Sequence, residues 1–225
     1  MYSSVLQRAF DQILHDVCID SRPVTFLIDH AGVVGGDGVT HQGIFDNSYL
    51  SLMPNLTVLQ PKDGNEFCKM LEFSVDFNGP LAIRYPKSYK TEINDSKFDS
   101  LCWEQLKKDK SGVTVLAVGN RMLDLALSIP YVSVVNARVI KPLDVKFLES
   151  LREEKLIITL EDGVVSGGFG EAVKAYYGNN GPKIEILGHG DGFPSSHSEA
   201  EMLAKSGLTV ENISKIIKKY TNSLV

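Results

Sequence analysis

Two hydrophobic rhythms alternate along this chain. Val5, Phe10, Ile13, Leu14 and Val17 recur at helical spacing and predict a helix around Val5–Asp16. Residues 23–28 (Pro-Val-Thr-Phe-Leu-Ile) are apolar nearly throughout, as a strand covered on both faces of a parallel sheet must be. A glycine-rich loop, 32–43, follows, then a short helical piece at 47–52 and a strand at 56–59. Pro61, Lys62 and Asp63 open the next helix. Asp63 is placed to cap it, and Glu66 sits at the capping-box spacing. A strand at 80–85 is stopped by Pro86.

Residues 87–100 are polar and unpatterned, and read as a connector. The alternation then resumes. Strands are predicted at 113–118, 131–136, 156–159 and 184–187, and helices at 122–128, 142–152, 167–177 and 210–219. Repeated strand–helix units of this kind make an α/β protein with two mainly parallel sheets. The expected division is 1–95 and 96–225.

Composition narrows the function. The 225 residues carry a formal charge of -5, so bulk charge gives no support for nucleic acid or an anionic membrane as partner. No apolar run is long enough to cross a bilayer, and the N-terminus lacks a signal-like core. Cys18, Cys68 and Cys102 form no CxxC pair; buried free thiols in a reducing, cytoplasmic compartment are expected. The five histidines, among them His189 and His197 near Asp191, make no metal-ligand pattern. The glycines at 167–170 complete neither a Rossmann nor a P-loop motif, and helix packing is their plainer role.

The chemistry concentrates in Asp37-Gly-Val-Thr-His41-Gln-Gly43. It follows a strand, where α/β proteins present ligand loops. Asp37 accepts hydrogen bonds, and His41 donates one or exchanges a proton near neutral pH. Together they suit a hydroxyl or carbonyl substrate, although a braced glycine turn with a satisfied histidine would show the same spacing. Arg84, at a strand's end, offers a planar donor fork to a phosphate, or an ion pair to a carboxylate. Arg8, on the first helix, suits an anion or a brace against the sheet.

Several segments carry a specific resemblance: residues 2–8 (YSSVLQR), 28–32 (IDHAG), 36–43 (GDGVTHQG), 83–86 (IRYP) and 135–144 (VNARVIKPLD). In this order they resemble the 1-deoxy-D-xylulose-5-phosphate synthase family of transketolase-like enzymes, over nearly the whole chain. The resemblance implies an incomplete pyrimidine-binding domain followed by a transketolase C-terminal domain. It implies thiamine diphosphate and Mg2+ as cofactors, and pyruvate and glyceraldehyde 3-phosphate as substrates. It places Asp37 and His41 on substrate oxygens as catalytic groups, Tyr2 beside the substrate, and Val5 and Arg8 beside the cofactor. Arg84 and His30 would meet the acceptor phosphate.

Two residues depart from the family pattern. Val5 stands where an aromatic ring is usual, and His30 where a second arginine is usual. The family's cofactor-activating glutamate and its diphosphate-binding domain have no counterpart here. A completing N-terminal polypeptide, a homo-oligomeric assembly and inactivity of the chain alone are therefore expected. A split transketolase-like enzyme with another acceptor, or a noncatalytic assembly subunit, are the alternatives.

Overall fold

The computed structural model describes residues 1–89, 97–195 and 198–221. The expected boundary between residues 95 and 96, much of the connector and His197 lie outside the described residues.

Two sheets form, both mainly parallel, as the alternation predicts. The first contains β1 (Thr25–Ile28), β2 (Thr57–Leu59) and β3 (Leu81–Arg84). β3 runs parallel between the other two, with Ile28 level with Arg84 and Leu59 level with Ile83. All three strands therefore end along one edge, and the loops that follow them gather there. The second sheet has the order β4-β6-β5-β8-β9, from Glu104–Lys107, Ser133–Asn136, Val113–Val118, Leu156–Val164 and Lys183–His189. Only β4, at its edge, is antiparallel to its neighbour.

The sequence pattern missed two strands, β4 and another with a larger structural effect. β7 (Val139–Lys141) comes from the second half of the chain but pairs antiparallel with β2, extending the first sheet. Its three residues precede Pro142, where the pattern predicts only a helix; that helix is shorter, Val145–Ser150. Asp144 caps it by accepting from Phe147 N at 2.9 Å.

The two units share one core. Leu59 and Met70 of the first belong to the same buried cluster as Trp103, Val139 and Phe169 of the second. The Trp103 indole donates to Val139 O at 2.7 Å. Ion pairs cross the same boundary: Lys62 meets Glu104 at 2.8 Å, and Arg138 meets Glu66 at 3.0 Å. The helix Gly64–Val75 starts as expected, with Asp63 Oδ1 accepting from Glu66 N at 2.8 Å. The Glu66 carboxylate accepts from Lys62 N at 2.7 Å.

The predicted first helix is irregular. A short α-helical turn at Ser3–Leu6 passes through tighter and wider turns before ending at Cys18. Cys18 is buried, whereas Cys68 is exposed and Cys102 half-buried, so only one thiol matches the buried expectation. Among the described residues no helix is long and apolar enough to cross a membrane.

Candidate active site

The glycine loop leaves β1 and closes on itself. Gly32 and Gly43 exchange two backbone hydrogen bonds, of 2.7 and 2.8 Å. Close approach requires glycine at position 43, because a Cβ there would lie 2.0 Å from His30 O. Inside the loop, the buried Gln42 amide donates to Val34 O at 2.9 Å and Gly38 O at 2.8 Å, and accepts from Val34 N at 2.7 Å. A side chain thus supplies the pairing that strands would otherwise give these backbone groups. Gly38, at φ 75°, turns the chain into the short helical turn Val39–His41 that presents His41 to solvent.

His41 Nδ1 lies 3.0 Å from Thr40 Oγ1, and its ring meets Tyr2 edge-on at 6.3 Å. Tyr2 is joined to the sheet beside Asp29, and its ring stacks on His30 at 4.1 Å. His30 is buried; its Nδ1 lies 2.9 Å from Asp29 Oδ1, at an angle that makes no hydrogen bond. Asp37 reaches Lys87 at 3.2 Å. Ser3, Ser4, Val5, Arg8 and His41 line a cleft of about 550 Å3, closed by Phe45 and, from the second unit, Phe193. Those two aromatic rings meet at 5.7 Å.

Of the residues named from sequence, Tyr2, Val5, Arg8, His30 and His41 thus converge. Arg84 does not join them. It is wholly buried, and its guanidinium donates to both oxygens of the equally buried Asp46, at 3.2 and 2.7 Å. It also donates to Gln60 and, at 3.3 Å, to Gly43 O. The donor fork expected to meet a phosphate is here occupied by Asp46, and Arg84 braces the foot of the loop. Its partner lies 38 residues away, and no local signal announced it.

Sequence reasoning also missed the second unit's part. At the end of β8, Glu161 and Asp162 are buried. The Glu161 carboxylate accepts from Phe169 N and Gly170 N, both at 2.9 Å, at the start of the helix Phe169–Tyr177. Burial nevertheless pushes it up to about 7. For Asp162, burial pushes the same way but is outweighed by Arg121 and His189, so its carboxyl is held below the usual range. The final expected strand, 184–187, runs to His189, which faces Asp162.

The cleft suits a flat, polar, aromatic heterocycle. The Ser3 and Ser4 hydroxyls are buried there without a hydrogen-bond partner, a costly state that a ligand would relieve. Phe45, Phe193 and Val5 supply apolar surface beside them. Among the described residues, no three or more His, Cys, Asp or Glu side chains gather as metal ligands.

Residues 1–91 match the model of the transketolase pyrimidine-binding domain, and 103–213 that of the transketolase C-terminal domain. This chain belongs to the transketolase family. Within this family of thiamine diphosphate enzymes it is similar to proteins named 1-deoxy-D-xylulose-5-phosphate synthase. The protein from Pelotomaculum thermopropionicum is 42% identical, over 96% of this chain and 36% of the relative. One from Thermus thermophilus is 39% identical, over 100% of this chain and 38% of the relative. The chain thus spans little more than a third of these synthases' length, corresponding to their C-terminal portion. A solved split-gene transketolase, described as an inactive β4 tetramer, superposes with a TM-score of 0.84 at 27% identity. The match covers 98% of this transketolase-family chain and 74% of that one.

Proposed function

We propose that this chain is the C-terminal part of a 1-deoxy-D-xylulose-5-phosphate synthase, which joins pyruvate to glyceraldehyde 3-phosphate with loss of carbon dioxide. The observation that carries the reading is a shared cleft. It brings His41 of the glycine loop, whose ring meets Tyr2 edge-on, together with Arg8 and two serines whose hydroxyls have no partner, in a chain about 40% identical to such synthases. Thiamine diphosphate, when bound, supplies an electron sink for carbon–carbon bond chemistry. Ser3 and Ser4 would hold its pyrimidine ring through hydrogen bonds, with Val5 and the Phe45–Phe193 pair as the apolar wall. Mg2+ is assigned to the portion of the relatives with which this chain does not align.

The remaining roles follow from exposure and chemistry. His41, exposed and hydrogen-bonded through one ring nitrogen, is free to pass a proton to the acceptor's carbonyl oxygen. Asp37 accepts from an acceptor hydroxyl after releasing the solvent-facing Lys87. Arg8 is exposed in the cleft and is the accessible guanidinium for the phosphate, while buried His30 supports Tyr2 from beneath. We take the complete enzyme to be a cytoplasmic homo-oligomer. Met1, Ile19 and Leu27 leave apolar surface around β1 for association. That His30 is buried rather than open favours a second reading, a split transketolase-like enzyme with a different acceptor.

The test is reconstitution of this chain with a polypeptide carrying the N-terminal portion of a relative. The chain alone is expected to be inactive, and the mixture to form 1-deoxyxylulose 5-phosphate. His41→Asn should lower kcat by about 10²–10⁴-fold, the range for a positioned proton donor, with little change in stability. Product from another aldehyde but none from glyceraldehyde 3-phosphate would establish the second reading. Full activity of the isolated chain would overturn the split.

A further inference from the structure

The loop that carries Asp37 and His41 is held from behind by the other unit. Val33 N donates to Asp162 Oδ1 at 3.0 Å, across 129 residues of sequence. The contact depends on glycine at position 32, where φ is +85° and a Cβ would lie 2.2 Å from Asp162 Oδ2. Asp162 is itself fixed. The Arg121 guanidinium donates to Oδ2, and His189 Nε2 lies 2.9 Å from Oδ1. These two are anchored in turn, His189 Nδ1 at 2.7 Å from Ser206 Oγ and Arg121 Nε at 3.6 Å from Glu199. The carboxylate therefore meets the loop already oriented by groups of its own unit. None of Asp162, His189 and Arg121 lines the cleft of Arg8 and His41.

We propose that Asp162, oriented by Arg121 and His189, is a positioning residue that sets the catalytic loop from the second unit. The proposal rests on the functional reading above for the word catalytic; the anchoring itself does not. At the loop's foot, Asp162 holds the outgoing strand and Arg84 the returning one, through Gly43 O. Gln42 ties the interior between them. Loss of Asp162 would leave Val33 N without its acceptor and free the outgoing strand to shift. A displacement near 1 Å can reduce turnover by about 100-fold with substrate contacts retained.

Two measurements test this. The first is amide hydrogen exchange of Val33, read by NMR on the full chain without cofactor. Asp162→Ala should accelerate it by about tenfold or more. Asp162→Asn keeps an oxygen for Val33 N but loses the charge that Arg121 holds, and should accelerate it about threefold. The second is kinetics of the reconstituted complex. Asp162→Ala should lower kcat about 10- to 100-fold and change the acceptor KM less than about threefold, and Asp162→Asn should recover most of the loss. Should Asp162→Ala fail to fold, Asp162→Asn alone decides, and unaltered Val33 exchange in it overturns the anchor. A raised KM with intact kcat would equally overturn the positioning role. A reconstituted wild type without synthase activity would sink the functional reading instead, while the exchange data still judged the anchor.

Discussion

Arg84→Ala separates an internal brace from a phosphate ligand. Arg84 and Asp46 are both wholly buried, and the guanidinium spans Asp46, Gln60 and Gly43 O. Truncation removes every one of these donors and leaves the Asp46 carboxylate in a dry site without its counter-charge. Breaking one side of a buried pair costs about 3–5 kcal/mol. At about 2–4 °C per kcal/mol for a chain of this size, the melting temperature should fall by roughly 6–20 °C. Arg84→Met with Asp46→Leu removes both charges while filling the volume, and should recover more than half of the loss; the double-mutant cycle reads the coupling. Thermal melts followed by circular dichroism on the isolated chain suffice, because no ligand enters the argument. A melting temperature within about 2 °C of wild type, with a selective rise in acceptor KM in the reconstituted complex, would refute this reasoning and return Arg84 to the phosphate.

Two further outcomes follow from the same geometry. Burial raises Glu161 from an ordinary 4.5 to about 7, so the folded chain holds this proton more tightly than the unfolded one. Its stabilising contribution, about 3 kcal/mol, is present below pH ~4.5 and is lost as pH rises to ~7. Asp162, shifted downward, acts only at lower pH. Urea midpoints at pH 5 and 7.5 should therefore differ, and Glu161→Gln should flatten that difference; an unaltered slope would exclude Glu161 as its source. Gly43→Ala, whose Cβ would meet His30 O at 2.0 Å, should cost about 1–3 kcal/mol or more and accelerate hydrogen exchange across residues 32–43. Exchange identical to wild type would show that the loop has room this geometry denies.

What sequence determined about this protein is what neighbouring residues decide together. Apolar runs of four to six residues between helical periods fix β/α alternation, because each pattern suits only one backbone period. The strand runs 23–28 and 113–118, the Asp63 cap and the placing of the Asp37–Gly43 loop after a strand were all legible from residues close in sequence. The resemblance carried by that loop likewise pointed to the family that the comparisons show. The tertiary structure decided what depends on distant partners. Val139–Lys141 is too short to signal a strand, and only the open side of β2 makes it one. Arg84 reads the same in sequence whether it faces a phosphate or a carboxylate; its pairing with the buried Asp46 is visible only in the fold. Asp162, Arg121 and His189 carry no motif, and only the packing of one sheet's end against the other unit's loop brings them to Val33. The Asp162 and Arg121 charges are stable there because each buried group meets a partner that the local sequence does not name.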